Sequence, residues 1–177
     1  MKYILLPLFT VMTLTNSYSQ SCTSGFTGTV PTDSNNVLIW ADEFDDDGVI
    51  CSDNWHFQTQ CLPGQLFCWA NNELQHYTDR EDNAFVDDGV LKIVARREDF
   101  SDQGLDLDYT SARLNSKFAF TYGRVDVRAK LPSELGTWPA IWMLGKNISE
   151  AGAFFEEEFG TTPWPATGEI DIMEQFG

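Results

Sequence analysis

Residues 124–131 alternate without a break. Val125, Val127, Ala129 and Leu131 fall on one side of an extended chain, and Arg124, Asp126, Arg128 and Lys130 on the other. A period of two residues is the signature of a half-buried antiparallel strand. The pattern recurs in short form. VLIWA (37–41), VLKIVA (90–95), WPAIWML (138–144) and GEIDIMEQF (168–176) are apolar runs bounded by Gly, Asn, Asp and Pro clusters. No long stretch keeps a 3.6-residue period. Many short strands with frequent turns predict an all-β sandwich or barrel.

The remaining organisation is read from the ends inward. MKYILLPLFTVMTLTNSYSQ has Lys2, an apolar run from Tyr3 to Leu14, and Ser17 and Ser19 as a small-x-small cleavage site. It predicts a signal peptide over 1–19, too short and too polar-ended to span a membrane. A buried N-terminal element is the plainer alternative, and a lipidated Cys22 another. Residues 20–36, rich in Ser, Thr, Gly and Asn, read as a linker or N-terminal arm. The domain is expected over 37–177. Export puts Cys22, Cys51, Cys61 and Cys68 in an oxidising compartment, with a loop staple expected among the last three. Asn147-Ile148-Ser149 is a glycosylation sequon, meaningful only in a eukaryotic secretory route.

Composition removes several function classes. Eleven Lys and Arg against 27 Asp and Glu leave a net charge of −16, which disfavours nucleic acid and anionic membranes as partners. With two histidines, His56 and His76, and no C-x-x-C pair, a catalytic zinc is not expected. There is no phosphate loop, dinucleotide fingerprint or G-x-S-x-G elbow. The acidic runs Asp45–Asp47, Asp87–Asp88 and Glu156–Glu158 are most simply solvated loops, with cation binding as the alternative.

The chemistry concentrates at 169–174. Glu169 and Asp171 share one face of a regular strand, whereas Glu174 has the wrong parity. A β-bulge, most simply at Met173, brings it back. Two carboxyl groups across a glycosidic bond are the machinery of glycoside hydrolysis, with roughly 5–5.5 Å between them when configuration is retained. Glu169 and Glu174 would be about 13 Å apart at the backbone, so long side chains must lean together on a concave face. Crowding three acids predicts that at least one holds its proton more tightly. The plain alternative is an amphipathic strand with a wet acidic face. Against it stand the mutual repulsion of like charges on one strand and the aromatic neighbourhood. Trp164 and Pro165 lie upstream, while Trp138 and Trp142 share a face of the strand 138–144, about 13 Å apart. Such rings either stack on sugars or belong to the core.

Taken together, the chain resembles glycoside hydrolase family 16, specifically its laminarinase-like endo-β-1,3-glucanases. The segments that carry the likeness are WADEF (40–44), NNELQHYT (71–78), GVLKIVA (89–95), YTSARL (109–114), YGRVDVRAKLP (122–132), GTWPAIWMLG (136–145), WP (164–165) and GEIDIME (168–174). The resemblance implies a jelly-roll β-sandwich of two curved antiparallel sheets, incomplete at the C-terminus, with a cleft on the concave face. It implies Glu169 as nucleophile, Glu174 as general acid/base and Asp171 as the residue that orients the nucleophile. Asn71, Arg113, Trp138 and Trp142 match positions that line the substrate cleft. By their chemistry alone, Arg113 could equally be a salt-bridge residue and Asn71 a turn residue. No cofactor is implied for catalysis. A structural calcium is implied near Glu43 and Gly89, with a further ligand beyond this chain.

The expected function is a secreted, periplasmic or cell-surface retaining endo-glycosidase acting as a monomer on β-1,3-glucan. Mixed-linkage β-1,3-1,4-glucanase activity, or non-catalytic carbohydrate binding on the same scaffold, are the alternatives. The acids at 169–174 are expected on a strand that lacks neighbours.

Overall fold

A computed structural model describes residues 38–177, so the expected signal peptide and most of the N-terminal arm lie outside the described residues. Nine strands and one short helix follow in order. They are β1 (Trp55–Phe57), β2 (Gln75–Tyr77), β3 (Ala84–Val86), β4 (Leu91–Ile93), β5 (Arg96–Asp102), β6 (Leu105–Ser111), β7 (Leu114–Ser116), β8 (Ala140–Leu144), α1 (Glu156–Phe159) and β9 (Glu169–Glu174). The all-β expectation holds. The strands pair as β1–β7, β2–β6–β5, β3–β4 and β8–β9. All pairs are antiparallel except β2 with β6.

Turn chemistry sets two of the hairpins. Between β3 and β4, Asp88 and Gly89 have φ of 54° and 67°, and Asp87 N–H donates to Val90 O at 3.1 Å. Between β5 and β6, Gln103 and Gly104 have φ of 50° and 80°. Two successive left-handed residues match the twist of the flanking strands, and glycine takes the second place without a steric penalty.

Two apolar clusters form the core. Ile50, Ala84 and Ala112 pack with Trp55, Phe57, Leu91 and Leu114. Cys68, Trp69 and Leu107 pack with Cys61, Leu62, Phe67, Tyr77 and Leu105. The expected loop staple is present as the Cys61–Cys68 disulfide, which ties the loop that leads into Trp69. A buried polar knot joins the sheets. Asn83, fully buried, donates to Val94 O at 3.1 Å and Thr110 Oγ1 at 2.9 Å, and accepts from Arg80 Nη2 at 2.9 Å and from Thr78. Arg80 and Thr110 both donate to Glu98. Buried polar groups are tolerated only when bonded in this way.

Two strand expectations are corrected. Residues 38–41 and 123–131 are not in strands. The alternation at 124–131 is real, and Arg124 and Asp126, two residues apart, form an ion pair at 2.9 Å. Yet residues 121–130 are exposed on both sides, and no backbone hydrogen bond joins them to another described segment. Alternation describes which face a side chain would take; a ladder partner is what makes a strand.

Candidate active site

β8 and β9 carry the site. Their register pairs Leu144 with Glu169, Trp142 with Asp171 and Ala140 with Glu174. Residues 140, 142 and 144 share one face, so the three acids opposite them do too. The bulge that makes this possible sits one residue earlier than expected. Ile141 faces Met173, and Ile172 has no partner in the register. Met173 is half-buried and keeps its place in the pairing, while Ile172, 40 % exposed, is the residue displaced. As expected, β9 pairs with β8 and with no other strand among the described residues. Gly145 closes β8 against the segment entering β9; a Cβ there would lie 2.6 Å from Thr167 O, so no larger residue fits without a shift.

Each glutamate receives an indole N–H. Trp164 Nε1 donates to Glu169 Oε2 at 2.7 Å, and Trp138 Nε1 donates to Glu174 Oε1 at 3.1 Å. Both tryptophans are open to solvent, at 64 % and 42 %. Trp138 also meets Phe176, with ring centroids 4.7 Å apart. The result is an open acidic face with a tryptophan beside each outer carboxylate and Asp171 between them. Such a face can hold a flat sugar ring and present it with two carboxyl groups.

Of the other residues singled out from sequence, Trp142 and Arg113 adjoin this face. Trp142 is half-buried, and the guanidinium of Arg113 covers one of its faces. Arg113 makes the ion pair weighed for it, with Glu150 at 2.6 Å. Asn71 is exposed in the turn weighed for it. Asn71 and Asn72 have φ of 59° and 58°, and Glu73 N–H donates to Ala70 O at 3.1 Å. Beyond that turn, Glu73 accepts from Tyr77 Oη at 2.8 Å and from Gln75 Nε2 at 2.7 Å. Burial, and then the Glu73 charge, push the Tyr77 hydroxyl well above the usual tyrosine range, so it acts as a neutral donor.

Glu43 and Gly89 are exposed. The Gly48–Val86 bridge runs the segment after Glu43 past the β3–β4 hairpin that carries Gly89. A carboxylate and a backbone carbonyl are the hard oxygen donors that calcium takes, and they would be two of the six to eight it needs. Elsewhere Cys61, Cys68 and His76 cluster, but both sulfurs are consumed by the disulfide.

Three participants were not legible as such. Trp164 stood out only as an upstream aromatic, and its bond to Glu169 needs the loop geometry. Trp69 and Glu150 gave no signal; both are revealed by the contacts of Arg113.

The chain is similar to known proteins in sequence and in fold. Residues 70–177, well over half of the chain, match the family described as Glycosyl hydrolases family 16. The crystal structure of LamAcat from Zobellia galactanivorans superposes with a TM-score of 0.74 at 57 % identity, covering 79 % of this chain and 55 % of that one. A second structure from that organism, in complex with laminaritriose and laminaritetraose, superposes with a TM-score of 0.74 at 56 % identity, covering 79 % and 56 %. The Beta-glucanase of Rhodothermus marinus is 44 % identical over 143 residues, which are 79 % of this chain and 44 % of that protein. The chain thus spans about half the length of these relatives. The all-β fold is the jelly roll that the resemblance implied. The chain belongs to glycosyl hydrolases family 16.

Proposed function

We propose that this protein is an endo-β-1,3-glucanase that cleaves laminarin-like polysaccharide with retention of configuration. The observation that carries the reading is the bulged register of β9, which turns Glu169, Asp171 and Glu174 to one face. The family match and the laminarin oligosaccharides held by a close structural relative support the substrate class.

In this reading Glu169 attacks the anomeric carbon while Glu174 gives its proton to the departing glycosidic oxygen. Water, activated by the same Glu174 carboxylate, then displaces Glu169 and regenerates both groups. Asp171 stands between them and orients the nucleophile. The indole donors beside the outer acids fix their rotamers before substrate arrives, which lowers the reorganisation required in the transition state. Trp138 and Trp164 offer exposed ring faces to the sugar, and family likeness gives Asn71 a side-chain amide for a sugar hydroxyl. Export directed by residues 1–19 would place the enzyme where such polysaccharides are met. A calcium held by the Glu43 carboxylate and the Gly89 carbonyl would brace the convex side and takes no part in the chemistry.

The test compares the wild-type protein with Glu169→Gln and Glu174→Gln on laminarin, lichenan and cellulose. New reducing ends from laminarin, lost in both variants while oligosaccharide binding persists, are the expected result. Binding without cleavage by the wild type overturns the hydrolase reading in favour of a carbohydrate-binding protein. Proton NMR of the first product separates retention from inversion.

A further inference from the structure

Arg113 lies between two indoles. Its guanidinium carbon is 4.8 Å from the ring centroid of Trp69 and 4.8 Å from that of Trp142. Trp69 is 1 % exposed and the Arg113 side chain 14 %. A cation screened from water on two faces needs a carboxylate on a third, and Glu150 supplies it through Arg113 Nη2 at 2.6 Å. Glu150 is itself anchored. Its Oε2 also accepts from Gln58 Nε2 at 3.1 Å, and Gln58, 1 % exposed, donates to Ala151 O at 3.0 Å. Gln58 Oε1 accepts from Asn115 Nδ2 at 3.2 Å, and Asn115 Oδ1 accepts from Phe154 N–H at 3.1 Å. The start of the long β8–β9 connection is thereby bolted to the β1–β7 sheet.

Trp142, on the far side of the stack, is the residue of β8 that faces Asp171. We propose that Glu150 is a positioning residue for the carboxylate strand. It holds Arg113 between Trp69 and Trp142, and that stack fixes β8 at the point opposite Asp171. Arg113 then belongs to the floor of the cleft, where its stack supports the strand that faces Asp171. The proposal rests on the hydrolase reading above.

Removal of the Glu150 charge leaves a guanidinium that gains by turning out to water. The stack opens, and the acids shift against the substrate. Displacements of about 1 Å at such distance from the chemistry lower rates by up to about a hundredfold.

The experiment measures kcat and KM on a laminarin oligosaccharide for the wild type, Glu150→Gln, Glu150→Asp, Arg113→Lys and the Arg113→Lys/Glu150→Gln double variant. Near-UV circular dichroism of the indole band is recorded on the same samples. Glu150→Gln is expected to lower kcat about tenfold with KM within about twofold, the mark of an effect on the transition state alone. Its indole band weakens, Glu150→Asp recovers part of both signals, and the double variant is no worse than Arg113→Lys, as for residues that act as one unit. The proposal is overturned if Arg113→Lys raises KM at constant kcat while Glu150→Gln matches the wild type in rate and spectrum. Should the wild type cleave no β-glucan, the hydrolase reading fails, and the indole band still decides the stack: an unchanged band in Glu150→Gln overturns it. If Glu150→Gln fails to fold, as judged by far-UV dichroism, the comparison is read from Glu150→Asp, in which an unchanged kcat and indole band overturn the proposal.

Discussion

Trp164 donates its indole N–H to Oε2 of Glu169 at 2.7 Å, five residues along the chain. A hydrogen bond to a charged acceptor is worth about 1.5–3 kcal/mol, and the solvent exposure of this pair favours the low end. Trp164→Phe keeps an aromatic face and removes the donor. The expected outcome is a roughly tenfold fall in kcat, since about 1.4 kcal/mol corresponds to a factor of ten. Trp164→Ala, which also removes the ring, should add a rise in KM. Steady-state kinetics on laminarin check both. A Trp164→Phe protein with unchanged kcat would reduce Trp164 to a sugar platform.

Asn83 satisfies four partners from a position with no solvent exposure. Asn83→Ala leaves Val94 O without this donor and the Thr78 hydroxyl without its acceptor, while Arg80 and Thr110 keep each other and Glu98 as partners. Each unsatisfied buried group costs about 1–3 kcal/mol, so a loss of about 3 kcal/mol is expected after local relaxation. Urea denaturation should show a lower midpoint at an unchanged slope.

Hydrogen bonds from Arg80, and then from the Thr110 hydroxyl, hold the Glu98 carboxyl below its ordinary value of 4.5. A carboxyl depressed by folding contributes stability that is present above its unfolded value and is lost as pH falls through its folded one. Thermal melts of the wild type should therefore decline as pH drops below 4.5, and Glu98→Gln should flatten that part of the profile. Equal slopes for the two proteins in acid would remove Glu98 from the account.

The Cys61–Cys68 bridge closes a loop with a sequence separation of 7, and the loop packs beneath Trp69. Closing so short a loop restricts the unfolded chain by about 2–3 kcal/mol. Cys61→Ser/Cys68→Ser should lower thermal stability to match. Because Trp69 also backs Arg113, the double variant is expected to lose more activity than stability alone explains, measured well below its melting temperature.

The legible parts of the fold are those where sequence pattern and local structure coincide. VLKIVA, WPAIWML and GEIDIME gave strands because apolar alternation and a paired neighbour are both present. The segment 124–131 has the clearest alternation in the chain and no ladder, since pairing depends on residues distant in sequence. β5 and β6 were missed for the opposite reason: RREDFSD and LDLDYTS are too acidic to read as apolar runs, yet the Gln103-Gly104 turn folds one onto the other. The parity of Glu174 demanded a bulge, and the spacing alone favoured Met173 over Ile172, because which side chain packs across the pair is a tertiary fact. Arg113 stood equally as sugar donor and as ion-pair residue; its partner, 37 residues away, was invisible.

The displaced Ile172 has an evolutionary corollary. Loss of its codon would leave Glu-x-Asp-x-Glu, in which plain alternation already aims every acid the same way. A length change at this point is therefore silent as to direction, and because the outer acids stay opposite Ala140 and Leu144 it leaves their separation nearly unchanged. The same one-codon change between Glu169 and Asp171 would send one acid to the reverse side and disarm the cleft. Related chains should accordingly differ in length on the Glu174 side of Asp171 and nowhere else along the strand.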